Sequence, residues 1–239
     1  MSSVFARTLA APSTLLNGLT SYWKLDEASG TRVDSVGSNN LTAQNNPLGV
    51  AAKINDGCQF VAASTQLLKC ASASNLQVGT NNRTWSFWVK LNSKPAVASR
   101  INIKGDGASA ATTEVSLDYL TSSDRFRFTG FKNPSSVTVP ANNFGAVSTG
   151  VFYFIVAWHD NGSGIAISIN NGTEDTGTMT AGCNSTAGDY SLGCDTLNAL
   201  PLDGVVDACG IWNRVLTATE KASLYNGGAG SPYPFIGMP

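Results

Sequence analysis

Charge is scarce in this chain. Asp, Glu, Lys and Arg make up 13% of its 239 residues, about half the usual share, and they nearly cancel to a net charge of −1. That leaves no basic field for phosphate backbones or anionic lipid, so neither nucleic acid nor a membrane is expected as a partner. Long apolar runs are missing too, and none approaches the roughly 20 residues of a membrane span. Histidine occurs once, as His159 in an HDNGSG turn sequence. This excludes the usual zinc patterns, and no nucleophile is marked to partner it in a catalytic triad. The five cysteines, Cys58, Cys70, Cys183, Cys194 and Cys209, form no C-x-x-C pair, and their odd number leaves at least one thiol free. Cys58 with Cys70, and Cys183 with Cys194, are placed to bridge; buried thiols acting as small hydrophobes are the alternative. At the N-terminus, Pro12, Ser13 and Thr14 interrupt the only apolar stretch, so no secretory signal peptide is expected.

What is present points to β-structure. Hydrophobic residues reach 42%, and the 24 glycines stand among abundant Ser, Thr and Asn, the composition of many turns between short strands. Alternating apolar and polar positions recur in LTSYWKLDE, CQFV, QLLKC, TWSFWVKL, RINIKG, EVSLDYL, RFRFTG, SVTVP and GIAISIN, each reading as a strand. VFYFIVAW is apolar on both faces and reads as a central, covered strand. HDNGSG after it signals a hairpin. In WSFWVKL, Trp85, Phe87 and Val89 share one face, which leaves Trp88 as the tryptophan best placed to point outward.

The stretch LDGVVDACGIWNRVLTATEKASLYNGG closes the chain differently. Its first half is a strand with Val205, Asp207, Cys209 and Ile211 predicted on one face. Thr217 followed by Glu220 is a capping box, and it opens a short helix that Gly227 and Gly228 stop. A lone helix of this kind is expected to seal an open end or edge of a sandwich. The reading is therefore an all-β sandwich over residues 18–228, with an N-terminal arm (1–17) and a C-terminal tail (229–239).

At these residues a family resemblance emerges. GVVDACGIWNRVLTATEKASLYNGG resembles the closing motif of the laminin-G-like branch of the concanavalin A-like lectin/glucanase superfamily. LTSYWKLDEASGTRVDSVGSNNLT, TWSFWVKLNS and TGVFYFIVAWHDNGSGIAISINNGT resemble three further family segments in order. The resemblance implies a concanavalin A-like jelly-roll of two antiparallel sheets with one short C-terminal helix. It also implies a structural calcium where an opening loop meets the closing strand, which maps to Asp34 and Asp207. Asp34 and Asp207 capping backbone amides is the plainer alternative.

The functional reading follows from chemistry that is missing. There are four glutamates, and the family's glucanase string E-x-D-x-x-E does not occur. Glu114 and Asp118 share a strand face, but their Cα atoms lie ~13 Å apart at ~3.3 Å per residue, so a solvated face rather than an acid pair is expected, and no enzyme. Glycan recognition would use Trp88 as platform and Asn39, Asn40, Asn170 and Asn171 as polar groups. The sequons at Asn40, Asn82, Asn161, Asn171 and Asn184 are what chance provides in so Asn-rich a chain. The tail LYNGGAGSPYPF resembles the ends of laminin-G-like proteins of bacteriophage and bacterial genomes. We therefore expect a non-enzymatic, surface-displayed, lectin-like module on a virion or extracellular surface, as a capsid decoration, fibre or tail component. Phe5, Leu9, Leu15, Leu16, Tyr233, Pro234 and Phe235 would anchor it to neighbouring proteins of the assembly, with a homo-oligomer left open. A carbohydrate-active enzyme or binding domain, and a calcium-dependent protein-adhesion module, are the competing readings.

Overall fold

The computed structural model describes residues 13–71 and 74–236. Its strands in chain order begin with β1 (Leu19–Trp23), β2 (Thr42–Gln44), β3 (Leu48–Ala51), β4 (Asp56–Phe60) and β5 (Leu67–Cys70). The middle of the chain gives β6 (Arg83–Leu91), β7 (Ala98–Gly105), β8 (Thr113–Leu120), β9 (Arg125–Lys132) and β10 (Ser135–Pro140). Then come β11 (Phe152–Asp160), β12 (Gly164–Ile169), β13 (Asp175–Thr178), β14 (Tyr190–Leu192), β15 (Gly204–Trp212) and the helix α1 (Ala218–Tyr225). An eight-stranded sheet runs β13-β12-β11-β6-β15-β4-β3 with β1 also on β15, and a seven-stranded sheet runs β10-β9-β8-β7-β14-β5-β2. The two antiparallel sheets form the expected jelly-roll sandwich.

Alternation fixed the inward faces. Trp85, Phe87, Val89, Tyr153, Ile155 and Ala157 from one sheet meet Leu117, Tyr119, Phe126 and Phe128 from the other in the main core. The hairpin β11–β12 forms at HDNGSG, with Asp160 opposite Gly164. The expected strands all form. Four more appear: β2, β3 and β13 are short edge strands, and β14 is a three-residue strand inside a segment that reads as continuous turn.

A second apolar layer lies outside the sandwich. Trp88, Phe154, Val156, Ala208 and Trp212 point away from the main core and are covered by Leu15, Leu216, Leu224 and Phe235. Three pieces of chain make this cover: a 3-10 turn at Thr14–Leu16, α1, and the tail. Tyr225 stacks on Trp88 (centroids 5.9 Å apart, 17° between planes), and Tyr233 on Tyr22 (5.2 Å, 23°). This corrects three expectations. The helix covers a sheet face, not an open end. Residues 13–17 and 229–236 are docked, with Leu15 and Phe235 fully buried and the Trp212 indole donating to the Leu15 carbonyl (2.7 Å). Leu15, Tyr233 and Phe235 are thus spent on this chain's own layer and are unavailable to anchor a neighbour; Leu16 stays exposed, and Phe5 and Leu9 lie outside the described residues.

The α1 start behaves as its sequence predicts. Thr217 Oγ1 accepts from Glu220 N (3.3 Å), and Glu220 Oε2 accepts from Thr217 N (2.9 Å). Arg214 grips the same carboxylate with two bonds of 2.7 Å and, as the leading cause, holds its pKa down at about 2. Thr217→Ala is expected to cost about 1 kcal/mol by thermal or denaturant unfolding, the usual worth of an N-cap hydroxyl.

The closing strand is bulged. Asp207 pairs with Trp88 but Gly210 with Ser86, so β15 carries one extra residue, and Ala208 adopts φ 51°. The bulge ends the simple alternation. Val206, Cys209 and Ile211 enter the main core, and Ala208 and Trp212 the outer layer. Asp207 and Cys209, predicted on one face, end on opposite faces.

Candidate functional site

The loop after β1 is built around one carboxylate. Asp34 Oδ1 accepts from the amides of Tyr22 (3.0 Å) and Val36 (3.1 Å), and Oδ2 from Asn39 N (3.1 Å). Asn40 Oδ1 accepts from Asp34 N (2.9 Å), Asn39 Nδ2 donates to Ser21 Oγ (2.7 Å), and the Trp23 indole donates to the Asn39 carbonyl (2.7 Å). Asn39 is thereby a buried strut and Asn40 an exposed rim residue. Together they form one wall of an open groove of about 630 Å³, at the β2–β5 edge of the seven-stranded sheet. Ser38, Thr42, Lys69, Cys70, Ala71 and Asp189 line the rest of it, with Lys69 Nζ 3.5 Å from Asp189. The groove thus offers amide, hydroxyl, ammonium and carboxylate groups brought together from three segments of the chain. Two of the predicted residues, Asn39 and Asn40, meet here. Lys69 and Asp189 were missed. Lys69 had a signal, since alternation in LLKC places it opposite to Leu68 and Cys70; Asp189 sits in a turn-rich segment with none.

The other predicted residues lie elsewhere. Trp88 is 2% exposed, under Tyr225 and Phe154, with Lys53 Nζ 4.9 Å from its ring. It is no outward platform, because α1 and the tail occupy the face that alternation left open. Asn170 takes a left-handed turn conformation and spends its side chain on Phe154, with Oδ1 accepting the Phe154 amide (2.9 Å). Asn171 is exposed beside it, away from the Asn39–Asn40 groove.

Asp34 and Asp207, the calcium ligands that the resemblance implied, both accept backbone amides. Calcium takes about six to eight oxygens. Both Asp34 oxygens are engaged by amides. Asp207 Oδ2 accepts from the amides of Lys53 (3.0 Å) and Ile54 (2.7 Å), leaving only Oδ1 unpartnered. Among the described residues no group of three or more His, Cys, Asp or Glu side chains is placed to hold a metal. Asp207 lies fully buried under Tyr22, Ile54 and Tyr233, and burial raises its pKa to about 7.

The acids on β8 are structural in their contacts. Asp118 is buried between Arg100 Nη1 (2.6 Å) and Arg127 Nε (3.4 Å) and also accepts from Ser116 Oγ (3.1 Å); burial raises its pKa and the two arginines oppose the rise. A register shift between Lys104 and Gly105 moves Glu114 off the Asp118 face. Glu114 is fully buried, 3.3 Å from Lys104 Nζ, accepting from the amides of Val78 (2.6 Å) and Thr186 (2.7 Å). The expected solvated face is therefore a dry, ion-paired one. His159 is not a turn residue: it is the last residue but one of β11, fully buried, with Nδ1 2.9 Å from the Asn81 carbonyl and its pKa lowered by burial. All five cysteines are free and buried. Burial pushes the thiols of Cys58 and Cys194 to about 11 and of Cys70 and Cys183 to about 12, so they are protonated hydrophobes at neutral pH.

Fold and comparison now agree on the class of protein. A laminin-G-type family model, described as the concanavalin A-like lectin/glucanases superfamily, matches residues 64–220, and the chain belongs to that superfamily. A search of curated proteins returned no match. Among solved structures, the chain is similar to domain 4 of AbnA, a GH43 extracellular arabinanase from Geobacillus stearothermophilus, in complex with arabinotriose. The TM-score is 0.67 at 15% identity, over 89% of this chain and 98% of that domain. It is similar to the binding domain of Paraclostridial Mosquitocidal Protein 1 (TM-score 0.73, 13% identity, 94% of this chain and 56% of that one). Trypanosoma rangeli sialidase is a third (TM-score 0.65, 11% identity, 95% and 37%). At such identities the likeness is one of fold. The chain spans nearly the whole arabinanase domain but only about half of the toxin domain and about a third of the sialidase.

Proposed function

We propose that the chain is a non-enzymatic, lectin-like glycan-binding module whose site is the groove of Asn40, Thr42, Lys69 and Asp189. One observation carries the reading: an open groove that gathers uncharged and oppositely charged hydrogen-bonding side chains, the set that matches vicinal hydroxyls. Among the described residues Asn40 Nδ2 has no hydrogen-bond partner, and Lys69 and Asp189 can each turn to a hydroxyl. The absence of turnover is supported by the acids. Hydrolysis needs two carboxyl groups about 5–9.5 Å apart across the bond, and Glu114 and Asp118 are both paired with cations and neither lines the groove. The arabinanase domain that shares the fold makes arabinotriose the first probe, and the sialidases make sialyllactose the second.

Calorimetric titration of the intact chain with both, backed by a glycan array, tests the reading. Binding is expected with no reducing sugar released. Lys69→Ala should weaken it about tenfold or more, since a hydrogen bond to a charged group is worth about 1.5–3 kcal/mol, and Asn40→Ala about two- to tenfold, the range of a neutral one at about 0.5–1.5 kcal/mol. Saccharide release, or affinity unmoved by either substitution, sinks the proposal. Display on a virion, which the tail resemblance implied, is a narrower form of it; mass spectrometry of purified particles would find the chain there and not among cytosolic proteins.

A further inference from the structure

Four of the five tryptophans are sealed: Trp23 and Trp212 are 0% exposed, Trp85 and Trp88 2%. Trp158 alone keeps part of its indole in solvent. It sits on the outer face of the eight-stranded sheet, on β11, with Ala166 and then Thr176 beside it in register. These small neighbours leave one flank of the ring uncovered. The flank opens into a groove of about 210 Å³ lined by Ser163, Gly164, Thr176 and Thr178 as well as Trp158. Gly164 cannot be filled in: a Cβ there would lie 2.2 Å from the Gly177 carbonyl oxygen. The indole is also held in place. Its N–H donates to Glu174 Oε1 (3.1 Å), and that carboxylate is fixed in turn by Lys221 of α1.

We propose that Trp158 is a stacking platform for one neutral sugar ring, a second glycan subsite on the sheet opposite the Asn40–Lys69 groove; the identification of the ligand as a sugar rests on the glycan-binding reading above. A pyranose or furanose has an apolar C–H face for the indole and an equatorial rim of hydroxyls for Ser163, Thr176 and Thr178. Charge selects against acidic sugars: Asp160, Glu174 and Asp175 flank the platform, and Lys221 neutralises only one of them. The groove at Asn40 has no aromatic side chain, so the two sites differ in kind, one reading hydroxyl edges and the other a ring face.

The test uses the intact chain and its own fluorescence. In the free protein, acrylamide should quench a fraction of the emission that is absent in Trp158→Phe. Neutral cello-, xylo-, manno- and galacto-oligosaccharides are then titrated, with sialyllactose as the acidic comparison. The inference expects at least one neutral oligosaccharide to shield the quenchable fraction and Trp158→Ala to weaken its binding about tenfold or more. Asn40→Ala should leave the shielding in place, and sialyllactose should bind the platform at least tenfold more weakly. The quenching measurement on the unmutated chain stands even where Trp158→Ala folds poorly. Oligosaccharides that bind by calorimetry yet leave Trp158 fully quenchable overturn the inference and spare the groove. Binding that depends on Trp158 and ignores Asn40 and Lys69 does the reverse. No binding of any sugar overturns both.

Discussion

Glu114→Ala will unfold this protein well before the wild type, with a loss of about 3–5 kcal/mol, the range for removing one partner of a buried ion pair. The reason is what the substitution leaves behind. Lys104 is 1% exposed and, besides Glu114, donates to the Gly188 carbonyl (2.6 Å). Without the carboxylate the buried ammonium loses the counter-charge 3.3 Å away, and the amides of Val78 and Thr186 lose the oxygens they donate to. For a domain of this size the loss corresponds to a fall in Tm on the order of 10 °C. Glu114→Gln keeps one of the two acceptor oxygens, which serve Val78 and Thr186 separately, and should fall between wild type and alanine. Lys104→Met combined with Glu114→Leu should be less damaging than Glu114→Ala alone, since no orphaned charge remains. Differential scanning calorimetry of the four proteins decides it. A Glu114→Gln variant that folds like wild type but abolishes a saccharide-releasing activity would instead make Glu114 catalytic, and the non-enzymatic reading would fall with it.

The second large effect concerns pH. Asp207 has a folded pKa of about 7, raised first by burial and further by Asp26, against an ordinary 3.8; the amides of Ile54, Lys53 and Ala208 pull the other way. A raised carboxyl pKa means that the folded state keeps a proton the unfolded chain has released. Its contribution is fully favourable below about pH 4, declines as pH climbs to about 7, and levels off above. At 1.36 kcal/mol per unit, the whole span is about 4 kcal/mol at most. Asp207→Asn is nearly isosteric, keeps the acceptor for Lys53 and Ile54, and cannot ionise. It should match wild type near pH 4 and exceed it by up to about 4 kcal/mol at pH 8. Measuring Tm of both proteins from pH 4 to 8 reads this residue together with the neighbours coupled to its charge, since the groups remote from it are the same in the two. A wild type more stable than the variant at pH 8 would contradict the assignment. A chelator-sensitive gain in wild-type stability would do so too, since a cation on Oδ1 would lower the pKa instead of leaving it raised.

Residues show where legibility ended. Trp88 alternates away from Trp85 and Phe87 as the strand WSFWVKL requires, and that much holds. Its exposure was a separate matter, decided by pieces of chain remote in sequence: Tyr225 of α1 and Phe235 of the tail cover the face. Trp158 obeys the same alternation and stays open, because Ala166 and Thr176 beside it are small and the cover stops short of it. Nothing in the local pattern distinguishes these two tryptophans. The Asn39–Asn40 corner was partly readable, since an Asp–Asn-rich loop between strands invites side-chain capping of its amides, but its partners Lys69 and Asp189 arrive from distant segments.

By itself, the sequence determined what depends on near neighbours. Period-two alternation defined the two faces of each long strand, HDNGSG turned the hairpin, and Thr217 with Glu220 opened the helix, since each is a relation among residues a few positions apart. Tertiary structure decided what depends on distant ones. The bulge at Ala208 and the register shift beside Glu114 redirect side chains that strict alternation would place elsewhere. The docking of both ends then turns an outer sheet face into a second apolar layer. Burial is a property of what lies opposite a residue, and in this sandwich that is nearly always a segment remote in the chain.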